Sequence, residues 1–226
     1  MLSPSARQAL RSAWGFVWTS CDEIVHQCDL ESYDPPRASF GGNIEIAEPE
    51  NPLVELFRIC PQFLSTAKRY LDSGFHVMLL RIDGKPMGYV WWHDNRVAHP
   101  HPTLERYGIG LQDDEAYLFN LFVLPQCRAG GTAGAFFAQF LRELRDRGVR
   151  RTYGFVDYVN LPARWMFSAH GWKSLFRFKG VVIGNSLLIT SNHFFVNCNL
   201  LAMIDRKRRR IVREFVPIGL KIHRGQ

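Results

Sequence analysis

The chain has 226 residues, 46% hydrophobic and 22% charged, enough for one well-buried core or a domain with an appendage. Its 28 Lys/Arg outnumber 21 Asp/Glu, but residues 201–226 hold eight basic and two acidic residues, so the body is near neutral and the basicity belongs to the tail. Five cysteines without a C-x-x-C pair argue against a disulfide framework or zinc site and suit a reducing cytosol. No apolar run reaches the roughly 18 residues of a membrane span, and no secretory signal is recognisable at the N-terminus. In chain order, Ser3 or Ser5 caps a predicted helix to about Thr19, with Ala6, Leu10, Ala13 and Val17 on one face. Residues 24–30 read as a first short strand, and residues 31–52, with Pro35, Pro36, Gly41, Gly42 and Pro49, as an irregular loop carrying Glu45, Glu48 and Glu50. Asn51-Pro52 starts a helical region over 52–73 that Pro61 divides and Gly74 closes. A hairpin follows, residues 76–82 and 87–93 joined by Asp83-Gly84-Lys85-Pro86. Residues 94–114 form a connection long enough to suggest a functional loop.

Residues 114–148 organise the rest. Residues 117–124 are apolar or aromatic apart from Asn120, as a strand covered on both faces should be, and Pro125 ends the ladder. Phe136, Phe137, Phe140, Leu141 and Leu144 then recur at helical spacing, and Gly148 stands where the helix stops. Between them, Arg128-Ala129-Gly130-Gly131-Thr132-Ala133-Gly134 is small enough for close backbone approach. Its amides at a helix start suit a phosphate or diphosphate, and Arg128 adds a charge. The simpler reading is a tight strand-to-helix turn. It is not a P-loop, since no Gly-Lys-Ser/Thr follows, nor a dinucleotide G-x-G-x-x-G, since the spacing is wrong. A further strand over 152–159, a helix over 161–170 from the Asn160-Leu161-Pro162 corner, and strands over 175–183 and 186–190 complete the pattern.

These residues resemble the GNAT superfamily of acyl-CoA-dependent N-acyltransferases. Val123-Leu124-Pro125 followed by Arg128-Ala129-Gly130-Gly131-Thr132-Ala133 matches that family's V-x-P and Q/R-x-x-G-x-G/A signature. Glu115 to Asn120 is similar to the same strand in ribosomal-protein alanine N-acetyltransferases. Asn160, Ala163 and Gly171-Trp172 resemble the second family motif, and together the motifs cover residues 76–185. The resemblance implies an α/β (α+β by segregation) fold with a mixed, mostly antiparallel sheet flanked by helices over residues 1–190; residues 191–226 fit the family least and read as a basic extension docked on the same domain. It implies acetyl-CoA or another acyl-CoA as co-substrate, no metal, and direct attack by a primary amine in a ternary complex.

By the same resemblance, residues 118–124 splay from the neighbouring strand, and Phe122, Val123 and Leu124 offer backbone groups to pantetheine. The N–H near Phe122 or Val123 would hold the developing oxyanion. The loop from Arg128 through Gly134 would cradle the diphosphate, and Asn160 would bond the pantetheine arm or simply serve the turn. Glu115 is the candidate general base, with His93 its understudy; the plainer reading of Glu115 is a solvated strand start. His99 and His101 are surface residues of the long loop, with an acceptor-site role open. The family's thiolate-protonating tyrosine falls on Phe167, which cannot donate a proton; Ser168, His170, Tyr158 or water could substitute. Cys127 reads as an incidental thiol. A long-chain acyl-CoA or acyl carrier protein donor is the alternative, with Phe119, Phe122, Phe136, Phe137, Trp165 and Phe167 as a channel and the basic tail (Arg206 to Arg210) meeting the carrier. A non-catalytic acyl-CoA-binding module is a third reading. The acceptor is a small-molecule or peptide amine, nucleic acid is disfavoured, a homodimer is open, and the setting is cytoplasmic.

Overall fold

The computed structural model describes residues 19–36, 44–107, 109–128, 130–183, 186–191 and 195–197. The predicted N-terminal helix, except Thr19, and the basic run Arg206 to Arg210 lie outside them. Nine described strands make one sheet: β1 Thr19–Asp29, β2 Ile44–Ala47, β3 His76–Ile82, β4 Lys85–His93, β5 Glu115–Val123, β6 Arg151–Asp157, β7 Lys173–Ile183, β8 Ser186–Ser191 and β9 Phe195–Asn197. Their order is β2-β3-β4-β5-β6-β1-β7-β8-β9. Adjacent strands are antiparallel except β5 and β6, which are parallel, so the sheet is mixed and mostly antiparallel as expected. Helices α1 Pro52–Ile59, α2 Leu64–Asp72, α3 Pro102–Tyr107, α4 Thr132–Asp146 and α5 Leu161–Ala169 flank it.

Strand alternation divides the core in two. One cluster joins Leu56, Ile59 and Ala67 of α1 and α2 to Trp91, Tyr117, Phe119 and Tyr153. On the other face Phe136, Phe137, Phe140, Leu141 and Leu144 of α4 pack on Leu80, Trp92 and Leu118. The stripe read from the sequence is therefore the buried face of α4. Burial of each such side chain stabilises by about 1.5–3 kcal/mol. After Asp146 the helix closes with Val149 N–H on the Leu144 carbonyl (3.0 Å) and Gly148 N–H on that of Arg145 (2.9 Å), the paired bonds of a Schellman ending.

Several elements differ from expectation. β1 is longer than residues 24–30 and runs through the middle of the sheet, antiparallel to both β6 and β7. Its sequence, TSCDEIVHQCD, has no clean alternation; two flanking strands supply its pairing. The loop over 31–52 contains edge strand β2, whose Glu45 pairs with Arg81 (3.3 Å), while Glu48 pairs with Arg147 (2.6 Å). The hairpin turn is only Asp83-Gly84, both at positive φ as a two-residue primed turn requires, and Lys85-Pro86 belong to β4. The 94–114 connection holds α3, and β9 extends the sheet beyond residue 190.

Candidate active site

β5 is paired on one side along most of its length and on the other only at its start. Against β6 it pairs from Glu115↔Arg151 to Leu118↔Gly154, after which the strands part, leaving one edge of β5 without a strand partner among the described residues. Against β4 the register shifts between Tyr89↔Phe122 and Trp91↔Phe119, so β5 carries one extra residue. Asn120 sits there at φ 48, the exposed residue of an otherwise covered strand. Asparagine tolerates this left-handed conformation better than other side chains, and one extra residue inverts the alternation. Thus Ala116 and Leu118 share a face with Leu121 and Val123, while Tyr117 and Phe119 share the opposite face with Phe122.

This register decides which amide is available. Leu124 N–H donates to the Met87 carbonyl (2.9 Å), so by alternation Phe122 also faces β4 and Val123 faces the open edge. Accordingly the Val123 carbonyl is not in the β4 ladder but accepts Arg128 Nε (2.8 Å). Of the two candidates for the oxyanion amide, Phe122 is excluded because its N–H belongs to the ladder, and Val123 remains. Leu124 bonds back to β4 and opens the Pro125–Cys127 turn.

The loop after this turn leads straight to α4. Gly130 and Gly131 have φ 68 and 80, a left-handed pair that side chains resist, and both are exposed with nothing within 4 Å of a notional Cβ. Among the described residues no side chain caps α4, and the amides of Ala133 and Gly134 lie in its first turn at the positive end of the helix dipole. Arg128 lies back over Phe122, its guanidinium carbon 5.5 Å from the ring centre. Ala129 lies outside the described residues. Cys127 is a half-buried free thiol.

α5 covers the point where β5 and β6 part. Asn160 caps it, its Oδ1 accepting the Ala163 N–H (3.3 Å), which is the turn role; only its Nδ2 is left for a cofactor. Phe167 is buried over Gly154, its Cζ 2.9 Å from where a Cβ would stand there, and it stacks on His26 at 5.2 Å. His170, also buried, meets Tyr33 Oη through Nδ1 (2.7 Å). Burial pushes His170 down to about 4, and burial followed by the Arg164 charge does the same to His26. Neither is a cation at neutral pH, so neither supplies the proton a tyrosine at Phe167 would give. Tyr158 is clamped between Arg164 and Arg177, 4.6 and 3.2 Å from its ring.

The two histidines have a consequence for stability. The unfolded chain takes up their protons near pH 6.5, whereas the fold resists until about pH 4. Their contribution, on the order of 3 kcal/mol each, is therefore complete above pH 6.5 and lost as pH falls toward 4. Urea midpoints measured from pH 7 to 4 are expected to drop through that window; a flat profile would contradict the assignment.

Glu115 and His93 do not face the opening. Glu115 is 2% exposed, held by Tyr153 Oη (2.8 Å), Arg151 Nε (3.1 Å) and the Gln112 N–H (3.0 Å). At about 3.3 Å per residue it lies roughly 10 Å before the strands part and about 25 Å from Val123. It ties β5 to β6 instead of touching an amine at the opening. Glu115→Gln is expected to leave turnover within about twofold while lowering stability by about 1–3 kcal/mol through loss of the partly buried ion pair. A kcat loss without a stability loss would restore the base. His93 is buried, with Nδ1 on the Asp94 carbonyl (2.8 Å) and Nε2 on the His101 N–H (3.2 Å), so both ring nitrogens are spent inside the protein. His99 is exposed, whereas His101 is half-buried, 4.3 Å from Phe119 ring to ring. Tyr70, which sequence reasoning did not select, brings its hydroxyl to Asn120 Nδ2 (3.1 Å). The lone polar residue in an apolar strand was the signal that could have found that pair.

The arrangement has relatives. The Acetyltransferase (GNAT) family model matches residues 42–172, more than half of the chain, and the protein belongs to this family. Its fold is similar to the glucosamine N-acetyltransferase region of a fungal multi-domain GH3 β-N-acetylglucosaminidase (TM-score 0.55, 18% identity, 78% of this chain and 23% of that one). A conserved protein of unknown function from Staphylococcus epidermidis follows (0.53, 11%, 82% and 69%). A tandem GNAT protein from the clavulanic acid biosynthesis pathway is also similar (0.51, 13%, 78% and 57%). The chain thus spans about a quarter of the first and over half of the third. No curated protein matches the sequence.

Proposed function

We propose that the protein is an N-acetyltransferase that moves an acetyl group from acetyl-CoA to a primary amine by direct attack in a ternary complex. The observation that carries this reading is the open edge of β5, with Val123 N–H on it, running into the uncapped two-glycine start of α4. In it the diphosphate rests on the α4 amides and the pantetheine lies along the open edge. The amine nitrogen adds to the thioester carbon, and Val123 N–H holds the oxyanion, a contribution of about 3 kcal/mol. Collapse breaks the C–S bond; the proton shed by nitrogen balances the one the thiolate takes up. A thiol of pKa about 8.5 is a tolerable leaving group without a dedicated acid, which accommodates Phe167. Of the aromatics considered for an acyl channel, Phe119 and Phe122 lie on one face of the sheet, Phe136, Phe137 and Phe167 pack on the other, and Trp165 is exposed, so they line no common channel, which favours the short acetyl donor. A reducing, cytoplasmic setting goes with the free thiols Cys28, Cys60 and Cys127.

The test is calorimetry with CoA and acetyl-CoA, followed by thiol release across a panel of primary amines. Binding in the micromolar range with amine-dependent release is expected. Binding without release would make the chain a non-catalytic acyl-CoA binder, and release only from long-chain or carrier-bound thioesters would change the donor.

A further inference from the structure

A directed chain of hydrogen bonds converges on one hydroxyl beside the bulge, and acyl transfer as described does not use it. The Tyr70 ring is boxed by Phe63, Phe75, Trp91 and Phe119, with centroids 5.2–5.9 Å away, so its hydroxyl has a fixed position. That oxygen lies 3.1 Å from Asn120 Nδ2 and 3.5 Å from His101 Nε2.

The directions follow from what each partner can do. A carbonyl only accepts, so His93 donates Nδ1–H to Asp94 and its Nε2 is a lone pair that receives the His101 N–H. This fixes His101, whose Nδ1 in turn accepts the Thr103 N–H (3.2 Å). The neutral imidazole of His101 then carries its proton on Nε2 and donates it to Tyr70. Asn120 Nδ2 is a donor too. A phenol oxygen has two lone pairs and one hydrogen; with both lone pairs filled, the hydrogen is offered to a third group. Burial raises the Tyr70 hydroxyl above its ordinary value, so at neutral pH it acts as a donor and not as a base. The side chain is half-buried, and its hydroxyl stands one asparagine side chain from the bulge of β5.

Resting on the acyl-transfer reading above, we propose that the Tyr70 hydroxyl donates a hydrogen bond to an oxygen of the acceptor. It thereby favours amines that carry an oxygen acceptor close to the nitrogen, such as 2-amino alcohols and α-amino carbonyl compounds, over plain alkylamines. Lysine-like ε-amines fall on the disfavoured side. In this proposal His93, His101 and Asn120 are positioning residues, and Tyr70 is the group that touches substrate.

The experiment measures thiol release from acetyl-CoA with ethanolamine, glycinamide and propylamine, in wild type and Tyr70→Phe. Comparing the two proteins amine by amine cancels differences in amine basicity. Tyr70→Phe is expected to lower kcat/KM about tenfold for ethanolamine, glycinamide or both, chiefly through KM. Propylamine turnover and acetyl-CoA affinity are expected to hold within twofold. Which of the two oxygenated amines responds tells the alcohol from the carbonyl class. An equal loss on all three amines, or no loss on any, overturns the proposal while acetyl-CoA binding leaves the acyl-transfer reading standing. Failure of wild type to bind acetyl-CoA overturns both.

Discussion

Gly131→Asp is expected to weaken acetyl-CoA binding about a thousandfold while leaving the fold intact. Gly131 is the residue before α4, exposed, at φ 80 and ψ 1, with nothing within 4 Å of a notional Cβ. Aspartate tolerates this backbone region better than most side chains, so the fold loses only about 1 kcal/mol. The carboxylate, however, would take the dipole's positive end for itself and face an incoming diphosphate. Two unit charges 4 Å apart near a protein surface repel by about 4 kcal/mol, which is roughly three decades of affinity. Gly131→Ala, with the same backbone strain and no charge, is expected to cost no more than about tenfold. Calorimetry on both variants, with circular dichroism as the check on folding, separates the causes. Wild-type affinity in the aspartate variant would remove the diphosphate from this loop.

Gly88→Ala should damage both stability and catalysis from the other side of β5. Gly88 faces Val123 across the β4/β5 ladder, in the close, non-hydrogen-bonded kind of pair. A Cβ there would stand 2.6 Å from the Phe122 carbonyl oxygen and 3.3 Å from Val123 Cα. Backbone atoms cannot swing aside as a side chain can, so β4 and β5 must separate. The expected cost is about 3 kcal/mol or more. The same displacement moves the Val123 amide, and losing one preorganised donor lowers kcat about 100-fold. Urea midpoints and kcat measured together test this; an alanine variant with wild-type kcat would show that the Val123 amide plays no part in the reaction.

How legible these features were depended on how locally they are specified. The β5–loop–α4 unit could be read because period-2 and period-3.6 apolar patterns meet at Pro125 and two glycines. The same local chemistry placed α1, α2 and the β3/β4 hairpin. β1 was legible only over residues 24–30, and not as a central strand, because its polar first half does not announce one. Its position rests on partners more than 120 residues away, such as Thr152 and Lys173. Glu115 illustrates the limit at the site. Its position in the sequence fits a catalytic base, yet the pairing of β5 with β6 sets it beside Arg151 and Tyr153, far from the opening.

The amino-acid order alone determined that a strand would run into a glycine-rich helix start, since propensity, punctuation and backbone freedom act within a few residues. Only the tertiary structure decided which amide of that strand faces outward and which hydroxyl stands beside it. One inserted residue at Asn120 flips the alternation, and a chain of hydrogen bonds from the 94–114 connection fixes Tyr70. Register and hydrogen-bond direction are properties of distant segments brought together, and no window of sequence contains them.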